Sequence, residues 1–390
     1  MAAARVPVLW ISGPPGAGKT TAGWAVYSAL SRAGTAAGYA DIDQLGMCYP
    51  EPASDPGRHR LKAANLDAVI TGYAAAGARC VVVSGVTDPV RGVDAALLPH
   101  AALTVCHLLA SGRERGRRLA ARDGRLAGSV AAADAGGPPA GDDWQLDTTT
   151  RTPDQVAARI LARWDGRPGV PGPEPARGAL SRPAPPAAGG EVLLICGPTA
   201  VGKSAVGFEV YQRELRAGHG AAFVDLDQIG FCSPGPARAA GVHRLRARNL
   251  AALWRAFRAA GATFLVTVGP VESAAAARAY QDALPGGPVT VARLHAAPAE
   301  LSRRILLRGA GHGWAQPGDP LAGRPAARLR GIAAHAAAAA DRLEAAGAGP
   351  APIGTVRIDT SGLTIAAAAA ALAGAVAGRR GGGPGTGVTR

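Results

Sequence analysis

Lysine is almost missing from this chain. Only Lys19, Lys62 and Lys203 occur, against 42 Lys and Arg residues together. Arginine carries the rest of the positive charge. It is spread along the sequence, with no Lys/Arg block of the kind that forms a nucleic-acid arm, so the formal charge of +14 does not by itself call for a nucleic-acid partner. Aromatic residues are also scarce, at 4%. The apolar share of 48% leans on Ala, so Ala runs and Gly-Pro loops carry less meaning here than usual. The five cysteines (48, 80, 106, 196 and 232) show no CxxC spacing and no partnered His, which argues against zinc. Their odd number, mostly within apolar runs, suits a reducing cytosol. No stretch has the length and hydropathy of a membrane span, and the Ala-rich run at 365–377 reads as a soluble helix. The opening MAAARVPVLWISG lacks the basic start, long apolar core and cleavage site of a signal peptide. A cytoplasmic location without a membrane partner is the expectation.

What the sequence has is an internal repeat. Shifted by 184 positions, residues 12–85 fall on 196–269 without a gap. GPPGAGKT (13–20) meets GPTAVGKS (197–204), DIDQLGMCYP (41–50) meets DLDQIGFCSP (225–234), and HRLKAANL (59–66) meets HRLRARNL (243–250). With two further positions of shift, Arg117, Arg118 and Arg122 meet Arg303, Arg304 and Arg308; Asp147-Thr148 answers to Asp359-Thr360. So long a period means a duplicated domain and not a solenoid. We expect one copy over 5–165, a Pro/Gly-rich linker over 166–190, a second copy over 191–378 and a disordered tail over 379–390, which makes the chain a pseudo-dimer within itself.

Each copy alternates short apolar runs with helical patterns. Strands are expected at 8–12, 38–43, 79–84 and 103–108, with a last one ending in Asp-Thr, and helices at 20–33, 59–77 and 152–164; the second copy repeats the order. Such alternation implies a parallel sheet with helices on both faces. The fold class is therefore α/β: two tandem P-loop NTPase domains, each a doubly wound parallel sheet.

The strongest chemical signal is Gly-x4-Gly-Lys-Ser/Thr, placed between an apolar strand and a helix in both copies. Such a loop folds its backbone N–H groups around phosphate at a helix N-terminus. Gly13, Gly16, Gly18, Lys19, Thr20 and Thr21, with Gly197, Gly202, Lys203 and Ser204, are the expected nucleotide-binding residues. Lys19 and Lys203 would reach the β- and γ-phosphates, and the hydroxyls of Thr20 and Ser204 would bind Mg²⁺. Two of the three lysines stand in these loops, where a compact ammonium fits and a planar guanidinium does not. Both loops therefore read as working sites.

Asp41 and Asp43, with Asp225 and Asp227, close the second strand at the carboxyl edge of the sheet. They can hold a water on Mg²⁺, accept a proton from an acceptor hydroxyl, or cap the following turn. The third apolar strand ends in Ser84-Gly85 or Val268-Gly269, without the Asp that many ATPases carry there, so metal help falls to Asp-x-Asp. Arg118, Arg122, Arg304 and Arg308 have the helical spacing of residues that close over phosphates, or of a solvated arginine face. Gly-rich segments at 124–145 and 310–356 follow them, as lids do. His59-Arg60 and His243-Arg244 either hold an anionic acceptor or order the loop, and Asn65 and Asn249 share that ambiguity. Cys48 and Cys232 read as packing residues.

Together GPPGAGKT, DIDQ, RRLAAR and LDTT, and their partners GPTAVGKS, DLDQ, RRILLR and IDTS, resemble the small-molecule kinase branch of the P-loop fold: adenylylsulfate, gluconate and shikimate kinases and chloramphenicol phosphotransferase. The resemblance implies ATP and Mg²⁺ as cofactors, a small acceptor as partner, and acceptor and metal contacts for Asp41/Asp43 and Asp225/Asp227. GPTAVGKS is also the P-loop spelling of tRNA dimethylallyltransferases, which continue Asp-Ser-x-Gln-x-Tyr where this chain has Asp225-Leu226-Asp227-Gln228. DxDQxGxCxP is no substrate signature. The leading expectation is an ATP-dependent phosphotransferase acting on a small hydroxyl-bearing acceptor. A nucleotide-binding regulatory protein with little turnover and a nucleic-acid end kinase stand as alternatives.

Overall fold

A computed structural model describes residues 5–88, 91–123, 144–166, 189–233, 235, 239–284, 286–311, 319–347, 353–354 and 356–381. The first half contains β1 (Val6–Ser12), α1 (Lys19–Arg32), β2 (Ala37–Asp41), β3 (Cys48–Tyr49), α2 (His59–Ala75), β4 (Cys80–Ser84), β5 (Ala101–Leu109), α3 (Gly112–Asp123), β6 (Trp144–Asp147) and α4 (Pro153–Arg163). The second half contains β7 (Glu191–Cys196), α5 (Lys203–Arg216), β8 (Ala221–Asp225), β9 (Cys232–Ser233), α6 (Ala239–Ala259), β10 (Phe264–Val268), α7 (Ala274–Ala283), β11 (Val289–His295), α8 (Pro298–Gly309), α9 (Ala326–Gly347), β12 (Val356–Asp359) and α10 (Ile365–Gly381).

The two sheets run β6-β5-β1-β4-β2-β9 and β12-β11-β7-β10-β8-β3. In each, five strands are parallel and the sixth, at the edge, is antiparallel. The central strands are apolar throughout because both faces are covered. Leu9 and Ile11 of β1 pack with Val26 and Leu30 of α1 and Ile160 of α4. Val8 and Trp10, on the opposite face, join Leu66, Val69 and Tyr73 of α2. The second half does the same: Leu193 and Ile195 face Val206 and Val210 of α5, while Val192 and Leu194 face Leu250, Leu253 and Phe257 of α6. Helices thus cover both faces of each sheet, and no helix among the described residues is long and apolar enough to cross a membrane.

The inward faces of the two sheets, with α2 and α6, belong to one continuous apolar core. The sixth strands tie the halves together more specifically. β9 of the second half pairs with β2 of the first (Ala37 with Ser233, Gly38 with Cys232), and β3 of the first half pairs with β8 of the second (Cys48 with Ala222, Tyr49 with Ala221). The residue before each short strand reaches across. Phe231 O accepts from Tyr39 N at 3.0 Å, and Met47 O accepts from Phe223 N at 2.9 Å. The Phe231 ring then sits 4.9 Å from Trp24 and 5.9 Å from Tyr39, in edge-on contacts that aromatic rings favour. The halves therefore exchange strands reciprocally.

Several expectations shift here. β2 and β8 end at Asp41 and Asp225, not at the second Asp of the pair, because the first carboxylate turns the chain. β3 and β9 are two residues long, too short to show any period. The 310–356 segment is not a glycine loop throughout: it carries the 22-residue α9, whose Leu329, Ala333, Ala336 and Ala340 pack with Leu301 and Ile305 of α8. α7 was not anticipated either, since its Ala-rich sequence gives a weak pattern. Residues 124–143 of the other expected lid, linker residues 167–188 and tail residues 382–390 lie outside the described residues, and 379–381 complete α10.

The shared core predicts a single cooperative unfolding transition for both halves. Phe231→Ala should lower stability by about 2 kcal/mol, less than a fully buried aromatic because Phe231 is partly exposed. Urea denaturation followed by tryptophan fluorescence reads this. Separate transitions, or exchange protection of the Tyr39 amide unchanged by Phe231→Ala, would contradict the exchanged-strand picture.

Candidate functional site

The two Gly-x4-Gly-Lys loops lie where the sequence expects them, between β1 and α1 and between β7 and α5. Their glycines are required by contact and by backbone angle. Gly13 and Gly197 have φ of 142° and 148°, and a Cβ on either would run into the carbonyl oxygen of Leu108 or Leu294 on the neighbouring strand. Gly18 and Gly202 have φ of 92° and 104° as they open α1 and α5. Gly16 (φ 79°) has its counterpart in Ala200, which holds φ 64° despite its Cβ. Thr21 is exposed on α1, and its counterpart is Ala205, so no hydroxyl is common to the two copies there.

In both loops the lysine folds back onto the loop's own carbonyls. Lys19 Nζ donates to Pro14 O at 3.1 Å, and Lys203 Nζ donates to Gly197 O at 3.0 Å and Pro198 O at 2.9 Å. Burial lowers the Lys203 pKa; the carboxylates of Asp227 and Asp225 oppose the shift and the Arg308 charge adds to it. A part-buried ammonium held by loop carbonyls is well placed to receive an anion.

The loop hydroxyls meet the first Asp of each pair. Thr20 Oγ1 donates to Asp41 Oδ2 at 3.2 Å, and Ser204 Oγ donates to Asp225 Oδ2 at 3.1 Å. The other oxygen, Oδ1, accepts the backbone N–H of Asp43 or Asp227 at 3.0 Å. Both carboxylates are buried. Burial first, and the neighbouring Asp second, push the pKa of Asp41 and of Asp225 up to about 6. Asp43 and Asp227 are instead half exposed and held by cations: Lys62 Nζ at 3.0 Å and Arg246 Nη2 at 2.6 Å. The two Asp of each pair therefore do different things and do not share one strand face. In the first half Ser84 Oγ, which is bonded to Tyr39 Oη at 2.8 Å, lies 3.5 Å from Asp41 Oδ2 at the end of β4.

Arg118 and Arg304 do not stand open over the loop. Arg118 Nη1 donates to the carbonyls of Gly16 and Ala17 at 3.3 Å and to Thr148 Oγ1 at 3.1 Å, and Nη2 donates to Thr148 O at 2.8 Å. Arg304 repeats this with Val201 O at 3.0 Å and with Thr360 Oγ1 and O at 3.1 and 2.8 Å. These arginines bind the loop from behind to the Asp-Thr strand end, a positioning role. Arg117 and Arg303 form exposed ion pairs with Glu114 and Glu300, so the solvated-face reading holds for them. Arg308 pairs with Asp319 at 2.8 Å. Arg122 falls on α3, but its side chain lies outside the described residues.

Asn65 and Asn249 order the loop after Asp-x-Asp by donating to Leu45 O and Ile229 O at 2.7 and 2.8 Å. Cys48 is buried on β3 and its thiol is pushed up to about 11 by burial, as a packing residue should be. Beyond the carboxyl ends of β2 and β4 the first half has a cavity of about 510 Å³, with Trp10, Ile42, His59, Lys62, Val86 and Leu97 among its lining. Sequence reasoning missed Trp10 there, and also Lys62 and Arg246 as carboxylate partners. The second miss was avoidable: a cation stands at that position in both copies.

No family model matches the chain, and no curated protein does. Among solved structures it is similar to an APS kinase of Mycobacterium tuberculosis, at 20% identity over 41% of this chain and 97% of that one, with a TM-score of 0.32. A gluconokinase from Sinorhizobium meliloti gives 17% identity over 50% and 98%, with a TM-score of 0.31. A shikimate kinase from Aquifex aeolicus gives 13% over 49% and 99%, with a TM-score of 0.26.

The buried carboxylates generate a pH prediction. The folded-state pKa of Asp41 and Asp225, about 6, exceeds the ordinary 3.8, so the folded chain binds more protons than the unfolded chain between those values. Stability therefore falls as pH rises through that window. Asp41→Asn and Asp225→Asn remove this loss. Each should be more stable than the parent at pH 7.5, by on the order of 1–3 kcal/mol, with the gain gone near pH 4. Urea midpoints at the two pH values read it, and equal gains at both would contradict it.

Proposed function

We propose that the chain binds ATP with Mg²⁺ and acts as an ATP-dependent phosphotransferase on a small hydroxyl-bearing acceptor. The observation that carries this reading is the contact of each P-loop hydroxyl with a buried strand-end carboxylate, at 3.2 Å for Thr20–Asp41 and 3.1 Å for Ser204–Asp225. A hydroxyl beside a hard carboxylate suits Mg²⁺, which takes few protein oxygens and keeps waters and phosphate oxygens for the rest of its shell. The close-packed positive-φ glycines of the loops suit a polyphosphate, because they leave room for it to approach the backbone. Bound Mg²⁺ neutralises charge on the β- and γ-phosphates.

The chain's own residues supply the rest. Lys19 turns from the loop carbonyl to the transferring phosphoryl group and stabilises its charge, and Lys203 takes the nucleotide phosphates at the second loop. Arg118 and Arg304 keep the loop fixed against the last strand. Asp41 serves the metal side, and Asp43, steadied by Lys62, faces the acceptor side. The acceptor oxygen bonds to the γ-phosphorus, the bond to the β–γ bridging oxygen breaks with its electron pair leaving on ADP, and the acceptor proton passes to Asp43. Positioning and charge compensation dominate such a transfer. In this reading the units at 5–165 and 191–378 form an internal pseudo-dimer.

Equilibrium dialysis with AMPPNP and Mg²⁺ should give two nucleotides per chain. Lys19→Ala and Lys203→Ala should each remove one of them, weakening that site at least about ten-fold. A panel of small hydroxylated metabolites should contain one that stimulates ADP formation. Two bound nucleotides with no stimulated or basal turnover would leave a nucleotide-binding protein and sink the phosphotransferase reading.

A further inference from the structure

The two halves differ where an acceptor must sit. In the first half the space past β2 and β4 is the cavity of about 510 Å³. Trp10 lines it, is itself buried, and has an indole Nε1 without a hydrogen-bond partner. At the matching position the second half has Leu194, which asks for nothing.

His59 and Lys62 line the cavity, with Asp55, Asp88 and Asp94 also on its wall; the counterparts of the first two are His243 and Arg246. Both counterparts stay partly exposed, but one side chain stands beside His243 on its inner side. Tyr280, on α7, is fully buried in the shared core. Its hydroxyl lies 3.0 Å from His243 Nδ1, and its ring stands edge-on to the imidazole, 5.8 Å away. Burial pushes its phenol well above the ordinary range; the nearby Arg246 charge opposes that shift and the Asp227 carboxylate adds to it. Val271 and Leu226, which answer to Thr87 and Ile42 of the cavity lining, are fully buried with it. The phosphate end of the second half is not closed in this way. A space of about 570 Å³ adjoins Thr199 of its P-loop, with Arg324 and Arg328 on its wall.

We infer that the halves have unequal work: the first half transfers the phosphoryl group, and the second binds nucleotide but takes no acceptor, because Tyr280 occupies the acceptor's place. This rests on the phosphotransferase reading above. It makes Tyr280 a specificity-determining residue that excludes acceptor and water alike. Without an acceptor, water enters the first cavity, its oxygen bonds to the γ-phosphorus, and ADP, phosphate and a proton are released.

Phosphate release from Mg-ATP in the full-length chain tests this, with water as the probe acceptor, alongside AMPPNP stoichiometry. Lys19→Ala should keep one bound nucleotide and lose at least ten-fold of the turnover. In that background, Tyr280→Ala should raise turnover several-fold by opening the second site, while Tyr280→Phe, which keeps the ring, should not. A Lys19→Ala chain retaining half of the parent turnover overturns the division of labour, as does failure of Tyr280→Ala to raise it in a chain that still binds nucleotide. The parent chain offers a measurement that needs no variant. Diethyl pyrocarbonate should modify His59 at least ten-fold faster than His243, and equal or reversed rates overturn the proposal. Absence of AMPPNP binding at either site, by contrast, is failure of the phosphotransferase reading itself.

Discussion

The structure turns on a carboxylate buried at the end of a strand. Asp41 and Asp225 each spend one oxygen on the P-loop hydroxyl and the other on the amide two residues ahead. The first bond sets the chemistry of the site. The second reverses the chain just past the sheet and sends it outward, so that within a few residues Cys48 or Cys232 pairs with the sheet of the opposite half. An unpaired carboxylate buried this deeply would be costly, and the raised pKa of both residues reflects that burial even with two hydrogen-bond donors in place. Such a cost suits the proposed reading, in which the carboxylate would gain a cation beside it.

That one turn explains why the repeated motif is as long as it is. Its first Asp bonds the P-loop hydroxyl, its second Asp pairs with Lys62 or Arg246, and the residues before and at its Cys belong to the other half's sheet. Met47 packs against the second half's apolar cluster, and Phe231 packs against the first half's. The motif is thus partly a binding element and partly an interface. Tight backbone geometry explains the glycines, and an ion pair open to either cation type explains why Lys62 answers to Arg246, whereas both loops carry lysine.

The α/β order, both P-loops and the parallel cores were legible in the sequence because each rests on a local signal: a glycine spacing, an apolar run, a repeat offset. Strand ends were not, since the Asp41 and Asp225 turns depend on a side-chain bond that no periodicity reports. The arginines were half legible. Their helical spacing was right, but Arg118 and Arg304 hold carbonyls on the loop and on the Asp-Thr strand end, about a hundred residues earlier and some tens of residues later in the chain. The exchanged strands escaped because two residues carry no period, and their meaning lies in a partner contributed by the other half. Tyr280 escaped for the opposite reason. It lies in the part of the second half where the repeat offset changes, so the alignment of copies had nothing to compare it with.

That break in the repeat is informative about how the halves depend on each other. On the proposed division of labour, a second half that served only as a spare phosphotransferase would lose its use to Tyr280. The strand exchange removes that freedom. β9 supplies the sixth strand of the first sheet, and Phe231 supplies part of the aromatic cluster behind β2, the strand that ends in Asp41. The second half must stay folded for the first half's site to keep its shape. Asp225, which bonds the hydroxyl of its P-loop, is separated from Phe231 by five residues of turn. On the proposed reading, a nucleotide bound there would stabilise the folded second half by mass action, and with it β2, the strand that ends in Asp41.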